Sequence, residues 1–186
     1  GDLIAITERI TLYTITPDGV TQRILLEDDE TVDLVGGAVW SPDGRYIAFS
    51  SNRGSGNNAI YRKASDGSGE VELIAEPGEL PALYPTSWSS DGKWLAVWTS
   101  NSDIYVADAN EGGLEPFQTT DFGEFNPSFS PDGRWIAYDS NESGRLEIYV
   151  RAFPAAGGKW QVSDGGGALA RWSADGSELY YRTDEG

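Results

Sequence analysis

The chain has 186 residues, with 30 Asp or Glu against 13 Lys or Arg, and a formal net charge of -17. Such a negative surface repels phosphate backbones, so we expect no nucleic-acid binding. The absence of Cys and His excludes disulfides, a thiol nucleophile, Cys-bound zinc and the commonest general base, and no apolar run approaches the roughly 20 residues of a membrane span, so we expect no membrane insertion of this segment.

Three strands are predicted at the start of the chain, over residues 3–7, 10–15 and 21–26, where β-branched and aromatic side chains are frequent. Pro17-Asp18-Gly19 predicts a tight turn before the third strand. An acidic run, Glu27-Asp28-Asp29-Glu30, follows. We interpret it as a solvated loop, with an acidic docking or cation site as the alternative.

One phrase then recurs along the chain. Its clearest copy is Phe129-Ser130-Pro131-Asp132-Gly133-Arg134-Trp135-Ile136-Ala137-Tyr138, and related stretches begin at Trp40, Trp88 and Trp172. The glycines Gly44, Gly92, Gly133 and Gly176 mark the period. Spacings of roughly 40–50 residues are typical of repeat architectures such as propellers.

Each copy predicts the same order of strand, Asp-Gly turn, strand, loop, strand, turn and strand. The predicted strands lie near residues 38–41, 46–50, 60–64 and 71–75, then near 86–89, 94–99, 103–107 and 115–119, then near 127–130, 135–139, 146–152 and 159–163, and finally near 169–173 and 178–182.

The second strand of each unit is apolar at consecutive positions, as in Ile47-Ala48-Phe49. In a strand that buries only one face, apolar and polar residues alternate, whereas consecutive apolar residues indicate that both faces are covered. Blades stacked around an axis provide this cover. The sequence therefore predicts an all-β fold, a β-propeller of four-stranded antiparallel blades with about four blades in this chain.

The repeated Ser-Pro-Asp-Gly-Arg-x-Ile-Ala-Phe/Tyr, followed by Ser-Asn-x-x-x-Gly and by Ile-Tyr, resembles the blade repeat of TolB-like (WD-type) β-propellers over nearly the whole chain. The resemblance implies a bacterial protein, periplasmic or extracytoplasmic, that acts as a scaffold for a protein or peptide partner.

The C-terminal part carries a second resemblance. Residues 153–163, the glycines at 165–167 and Arg171-Trp172-Ser173 resemble the propeller region of certain bacterial serine/threonine protein kinases. Because this sequence lacks a glycine-rich nucleotide loop and a His-Arg-Asp motif, the resemblance implies the sensor region of a membrane-bound kinase and no catalytic domain.

The blade count predicts a single propeller segment over residues 1–186. A partial blade at 1–35 is followed by blades at 36–83, 84–125 and 126–167 and by a partial blade at 168–186. Unpaired strand edges at both ends invite association. We therefore expect either part of a larger ring or a chain that completes its ring with a second copy.

Residues that repeat in every blade are interpreted as structural. An Asp before Gly accepts backbone hydrogen bonds in a turn, and large rings pack between blades. The aspartates are Asp43, Asp91, Asp132 and Asp175, and the equivalent rings are Trp40, Trp88, Phe129 and Trp172. The remaining tryptophans assigned to packing are Trp94, Trp98, Trp135 and Trp160.

One hairpin has the spacing of a calcium loop, although it lacks the acidic twelfth residue of an EF-hand. The oxygen ligands would be Asp139, Asn141, Ser143 and Glu147, with the Arg145 carbonyl between the last two. A plain hairpin is the alternative. Calcium is the one cofactor that the sequence raises.

Catalysis is the weaker prediction, because without His only a carboxylate pair would serve a hydrolase. Glu79, Asp121 and Glu124 are the candidates near the channel rim. We instead predict a non-catalytic binding module, which uses loops at 27–37, 76–86 and 120–127 around the channel mouth. We expect the hairpins at 52–58 and 140–145 to lie towards the outer part of the blades. Function is expected where the repeats differ, at residues 27–33, 76–85, 120–126 and 139–147.

Overall fold

The computed structural model describes residues 4–8, 11–15, 22–26, 35–54, 56–154 and 157–183. These residues contain seventeen β-strands and no α-helix, so within them no helix is long and apolar enough to cross a membrane. The predicted turn at Pro17-Asp18-Gly19 and the acidic run at 27–30 lie outside the described residues.

The strands form five antiparallel sheets, in each of which neighbours in sequence are neighbours in space. The first sheet holds β1 (Ile4–Glu8), β2 (Thr11–Ile15) and β3 (Gln22–Leu26); the second β4 (Val35–Trp40), β5 (Tyr46–Ser51), β6 (Ala59–Ala64) and β7 (Glu72–Ala75); the third β8 (Leu83–Trp88), β9 (Trp94–Thr99), β10 (Ile104–Asp108) and β11 (Leu114–Gln118); the fourth β12 (Glu124–Phe129), β13 (Trp135–Ser140), β14 (Glu147–Ala152) and β15 (Lys159–Gln161); and the fifth β16 (Ala168–Trp172) and β17 (Leu179–Arg182).

The first strands of successive sheets, β4, β8, β12 and β16, lie side by side and form the inner layer. The hydroxyl of Thr86 donates to the carbonyl of Pro127 (2.8 Å), and the Phe129 amide donates to the hydroxyl of Ser87 (3.0 Å). Each second strand packs against the inner strand of the next sheet, and β1 packs against β4 in the same way. This arrangement confirms the predicted all-β propeller of four-stranded blades.

The second strands have both faces covered, as predicted. In β5, Ile47, Ala48 and Phe49 are fully buried, and β13 repeats this pattern with Ile136 and Tyr138. Fully burying an aliphatic or aromatic side chain stabilises a fold by about 1.5–3 kcal/mol. The cores between blades therefore hold the sheets together.

The repeated phrase forms the same turn in four places. In one copy, the hydroxyl of Ser130 donates to Asp132 (2.6 Å) and accepts from the Trp135 amide (3.0 Å). The Arg134 amide also donates to Asp132 (3.1 Å), and these bonds, that from Ser130 foremost, lower the pKa of Asp132 to about 2. The turns at Asp43, Asp91 and Asp175 repeat this geometry, so the repeated aspartates are structural.

The inner strands begin earlier than predicted, because each contains a β-bulge that breaks the expected alternation. They start at residues 35, 83, 124 and 168, whereas starts at 38, 86, 127 and 169 were predicted. The register shifts fall at equivalent places in all four. Bulge residues Gly37, Asn126 and Leu169 have positive φ. The last four residues of each of the predicted rim loops at 76–86 and 120–127 are therefore strand.

Successive blades are tied by a repeated backbone hydrogen bond at the end where the inner strands begin. Leu83 donates to the carbonyl of Asn58 (3.0 Å), and Glu124 donates to that of Ser102 (2.8 Å). Both acceptors belong to the hairpin between the second and third strands of the preceding blade. The bonds thus bring the loops before the inner strands next to these hairpins, and this end of the inner layer is termed the mouth.

Candidate binding site at the mouth of the inner strands

The blades differ most in side-chain size at the mouth. The position four residues before the last residue of each inner strand is Gly36 in β4 and Ala168 in β16, but Tyr84 in β8 and Phe125 in β12. The strand β9, which carries Trp98, pairs with β8 and packs against β12. Large rings are therefore concentrated at one junction, between the third and fourth sheets.

Tyr84, Trp98 and Phe125 form a continuous aromatic group, termed the mouth cluster. Tyr84 and Trp98 are cross-strand partners with ring centroids 5.4 Å apart, and Trp98 reaches across to Phe125 at 6.2 Å. All three side chains are half-buried. The indole Nε1 of Trp98 is enclosed and has no hydrogen-bond acceptor among the described residues. The group thus offers partly exposed apolar ring faces, while the indole N–H lies beneath the surface.

The loop before β12 shapes this group. The Phe125 ring folds over Gly123, where an added Cβ would lie 2.7 Å from the ring. The Gly123 amide donates to Oδ1 of Asn141 (2.9 Å), and the Asn141 amide donates back to the Gly123 carbonyl (3.2 Å). In the same loop, Phe122 is 48% exposed. The mouth therefore presents aromatic side chains on a loop that Asn141 fixes through both the amide and the carbonyl of Gly123.

A buried carboxylate, that of Glu124, is hydrogen-bonded to the loop before β12. Glu124 is fully buried, its Oε1 accepts a hydrogen bond from the hydroxyl of Thr120, and its Oε2 has no partner among the described residues. Burial raises the pKa of Glu124, and the bond from Thr120 offsets part of that rise. The hydroxyl of Thr120 also accepts from the Phe122 amide (3.2 Å).

Asp139 is a second buried carboxylate, and it joins the fourth and fifth sheets. It accepts from Nδ2 of Asn126 (2.7 Å) and from the Leu169 amide (3.1 Å), both of them bulge residues. Burial raises the pKa of Asp139, while these bonds lower it in part. The equivalent residue in β5, Ser50, donates to the Leu83 carbonyl of the next sheet (2.6 Å). The side chain at this position therefore joins one blade to the next by a hydrogen bond to its backbone.

The hairpin with calcium-loop spacing does not gather its four side chains. Asp139 faces the bulges, Asn141 accepts from Gly123, and the hydroxyl of Ser143 donates to the Arg145 carbonyl (3.1 Å). Glu147 accepts from the Gly166 amide (2.9 Å) in the loop that leads into β16. Over the described residues, no three acidic side chains are placed to hold a metal ion.

Glu147 instead anchors the loop that leads into β16. It is buried, and it accepts from Nε of Arg145 (2.7 Å), the hydroxyl of Ser163 and the amides of Gly165 and Gly166. These donors, the Ser163 hydroxyl foremost, lower the pKa of Glu147 to about 2. A carboxylate saturated in this way is a structural group.

The carboxylates considered for hydrolysis lie in different environments. Glu79 and Asp121 are exposed on separate loops, whereas Glu124 is fully buried. A glycosidase needs two carboxyl groups facing each other across a sugar. The buried Glu124 bonds to its own loop and presents no such pair.

The aromatic residues assigned to packing do pack between blades, with two exceptions. Trp40, Trp88, Phe129 and Trp172 each border a different core. Trp98, however, belongs to the mouth cluster, and Trp160 is 50% exposed. Tyr84 and Phe125 were missed from the sequence, although a comparison of the blades position by position would have set them against Gly36 and Ala168.

Inner strands that lie side by side and carry four-stranded antiparallel sheets define a β-propeller protein. No protein-family model matches the chain. It is 36% identical over 113 residues to an uncharacterized protein of Agrobacterium fabrum, which covers 59% of this chain and 37% of that protein. It is 31% identical over 133 residues to the Tol-Pal system protein TolB of Bordetella pertussis, which covers 71% of this chain and 30% of that one.

The chain thus spans about a third of the length of these curated relatives. Among solved structures, the putative TolB from Agrobacterium tumefaciens superimposes with a TM-score of 0.81 at 23% identity, over 97% of this chain and 65% of that one. Oligogalacturonate lyase from Vibrio parahaemolyticus gives 0.59 at 20% identity, over 76% and 41%. These structural likenesses show the fold, and the predicted resemblance to TolB-like propellers is confirmed.

Proposed function

We propose that this segment is a non-catalytic β-propeller module that binds a protein or peptide partner at the mouth cluster. The observation that carries the proposal is the concentration of three aromatic rings at one junction between blades. Tyr84 and Phe125 stand where the other inner strands have Gly36 and Ala168, and Trp98 stands where β5 and β13 have Ser50 and Asp139. Half-buried aromatic rings on a rigid scaffold are the usual anchors of protein interfaces. The likeness to a Tol-Pal system protein supports a bacterial, extracytoplasmic setting for this binding.

The chemistry of the mouth fits a peptide with an apolar side chain. Such a side chain would cover the partly exposed ring of Phe125. The exposed Phe122 would border such a ligand. The net charge of -17 favours a partner segment that is neutral or basic.

A displayed peptide library tests the proposal and does not require the partner to be identified. We expect selection on this chain to enrich a sequence whose binding weakens at least about tenfold with Tyr84→Ala or Phe125→Ala, as for hot-spot residues. Trp160→Ala, at an exposed aromatic residue outside the mouth cluster, is the matched control and should leave this binding unchanged. Enriched peptides that are insensitive to both mouth variants would contradict the proposal.

The sensor region of a membrane-bound kinase and a sugar- or calcium-binding propeller remain alternative proposals. For the first, the parent sequence before Gly1 is the test, since a kinase domain there would favour it. The second draws support from the fold likeness to a lyase. A calcium-dependent shift of thermal unfolding would favour a cation site, and an unchanged transition with chelator would reject it.

A further inference from the structure

One buried carboxyl group is linked by hydrogen bonds to the loop before β12. Glu124 is fully buried where the third and fourth sheets meet, and both are complete four-stranded blades. Its amide donates to the carbonyl of Ser102 in the third sheet (2.8 Å). Its Oε1 accepts from the hydroxyl of Thr120, which itself accepts from the Phe122 amide (3.2 Å). Two successive hydrogen bonds thus join the carboxyl group to the exposed part of the loop.

The fold does not require an ionisable residue at this position. The equivalent residues, five before the last residue of each inner strand, are Val35, Leu83 and Gly167. Leu83 is fully buried, so an apolar side chain serves this place in the preceding blade. Burying a carboxyl group costs free energy unless the group is neutral or fully hydrogen-bonded. The presence of Glu124 therefore indicates a role other than packing.

The same loop sets the position of the mouth cluster. Asn141 bonds to both the amide and the carbonyl of Gly123. The Phe125 ring lies so close over Gly123 that an added Cβ would be 2.7 Å from it, and this ring contacts Trp98, with centroids 6.2 Å apart. A rearrangement of the loop around Glu124 would therefore displace the Phe125 ring from Trp98.

The surroundings of Glu124 favour its neutral form. Its Oε2 has no hydrogen-bond partner among the described residues, and burial raises the pKa of the group, with the charge of Asp103 adding to the rise. The guanidinium of Arg151 is bound to Oε1 of Gln118 (2.9 Å). Burial also raises the pKa of the enclosed Tyr138, so this phenol is uncharged at neutral pH. Of the charged side chains in the loop and the adjacent hairpin, Asp121 is exposed, Glu142 pairs with Lys159, and Arg145 pairs with Glu147.

We propose that protonation of Glu124 regulates partner binding at the mouth cluster. In the neutral form, the carboxyl group and Thr120 hold the loop in the arrangement described above. In the ionised form, Oε2 needs hydrogen-bond donors or water, which reach it when the loop opens and the Phe125 ring is displaced. Binding is therefore tighter at acidic pH than at neutral pH. This inference rests on the proposed function, because it concerns the same site.

Amide exchange in the free chain tests the first step without a partner. NMR measures exchange at Phe122 and Gly123 in the parent and in Glu124→Gln at the same pH, so that the intrinsic rates cancel. We expect similar rates at about pH 5 and exchange at least about fivefold faster in the parent at about pH 8. Thr120→Val removes the link between Glu124 and the loop and should exchange fast at both pH values. Equal rates in the parent and Glu124→Gln throughout would overturn the proposal.

The second step is measured with a library-selected mouth peptide that has blocked termini and no Asp, Glu or His, so that its own charge is constant. We expect its affinity for the parent to fall about tenfold between about pH 5 and about pH 8, the effect of one pKa unit of coupling, and to stay level in Glu124→Gln. Because the chain contains no His, buried carboxyl groups with a raised pKa are the side chains expected to titrate in this range.

Asp139→Asn is the matched control, since burial raises the pKa of Asp139 as well, and it should keep the pH dependence of the parent. A pH dependence that survives in Glu124→Gln, or that Asp139→Asn removes, would refute the regulation. Equal affinity of a mouth peptide at both pH values would refute it too and leave the proposed function standing. If no selected peptide depends on Tyr84 or Phe125, the proposed function fails and regulation of binding fails with it, whereas the exchange comparison still decides whether Glu124 controls the loop.

Discussion

Two buried glutamates in this protein have opposite electrostatic environments. Glu147 receives a hydrogen bond from each of several donors, and its pKa falls to about 2. Oε1 of Glu124 accepts from the Thr120 hydroxyl, its Oε2 has no partner among the described residues, and burial raises its pKa. Ionisation of Glu147 therefore stabilises the fold, whereas ionisation of Glu124 works against it.

For Glu124, the folded pKa lies above the ordinary value of 4.5, so its contribution is present below that value and is lost as pH rises through the folded pKa. Glu124→Gln keeps the acceptor for Thr120 and removes the charge. We expect the variant to melt at a higher temperature than the parent at about pH 8, with a gap that closes near pH 4. Circular dichroism melts across this range measure the gap, and a variant that is less stable by a constant amount would disagree.

For Glu147, the folded pKa lies below 4.5, so its contribution is present above that value and is lost as pH falls toward 2. Glu147→Gln leaves donors without a charged acceptor, and we expect it to cost about 1–3 kcal/mol at neutral pH. Urea unfolding should show this cost shrinking below pH 4.5. A loss that persists unchanged in acid would show that the charge is not its cause.

At the scale of the elements, the interfaces between sheets decide stability. Phe153 contacts Trp94, Phe117 and Phe129 and is nearly buried. Phe153→Ala would leave a cavity between two blades, and we expect it to lower the free energy of unfolding by about 3–5 kcal/mol. Chemical denaturation measures this, with Tyr180→Ala as the control at a residue that is 59% exposed. Equal small losses for both variants would refute the role of this interface.

The strands and turns could be predicted because each signal appears several times. Consecutive apolar residues at Ile47-Ala48-Phe49 and Ile136-Ala137-Tyr138 indicate strands that are buried on both faces. The Ser-x-Asp-Gly turn is recognisable because its hydrogen bonds are formed within the turn itself. Bulges could not be predicted, because Gly37, Asn126 and Leu169 fill equivalent places without a common residue type.

The candidate site was predicted only as a region. Residues 76–85 and 120–126 were singled out because the repeats differ there, and they contain Tyr84 and Phe125. Trp98 joins them from another strand through a contact between sheets. Such a contact depends on the register of three strands, which residue patterns along one strand do not reveal.

At the scale of the whole molecule, net charge opposes self-association. Two copies at -17 each repel at low ionic strength, and salt screens that repulsion. We expect light scattering to give the mass of one 20.1 kDa chain in low salt, with association growing as salt is added. A stable dimer in low salt would instead support the ring completed by a second copy.

Binding of a partner at the mouth cluster should leave a footprint in amide hydrogen exchange. With a library-selected peptide bound to the chain, we expect slower exchange at residues 83–84, 98–102 and 119–126. Exchange in β15 and β17, at 159–161 and 179–182, should be unchanged. Protection confined to β15 and β17, with none at the mouth, would contradict binding at the mouth cluster.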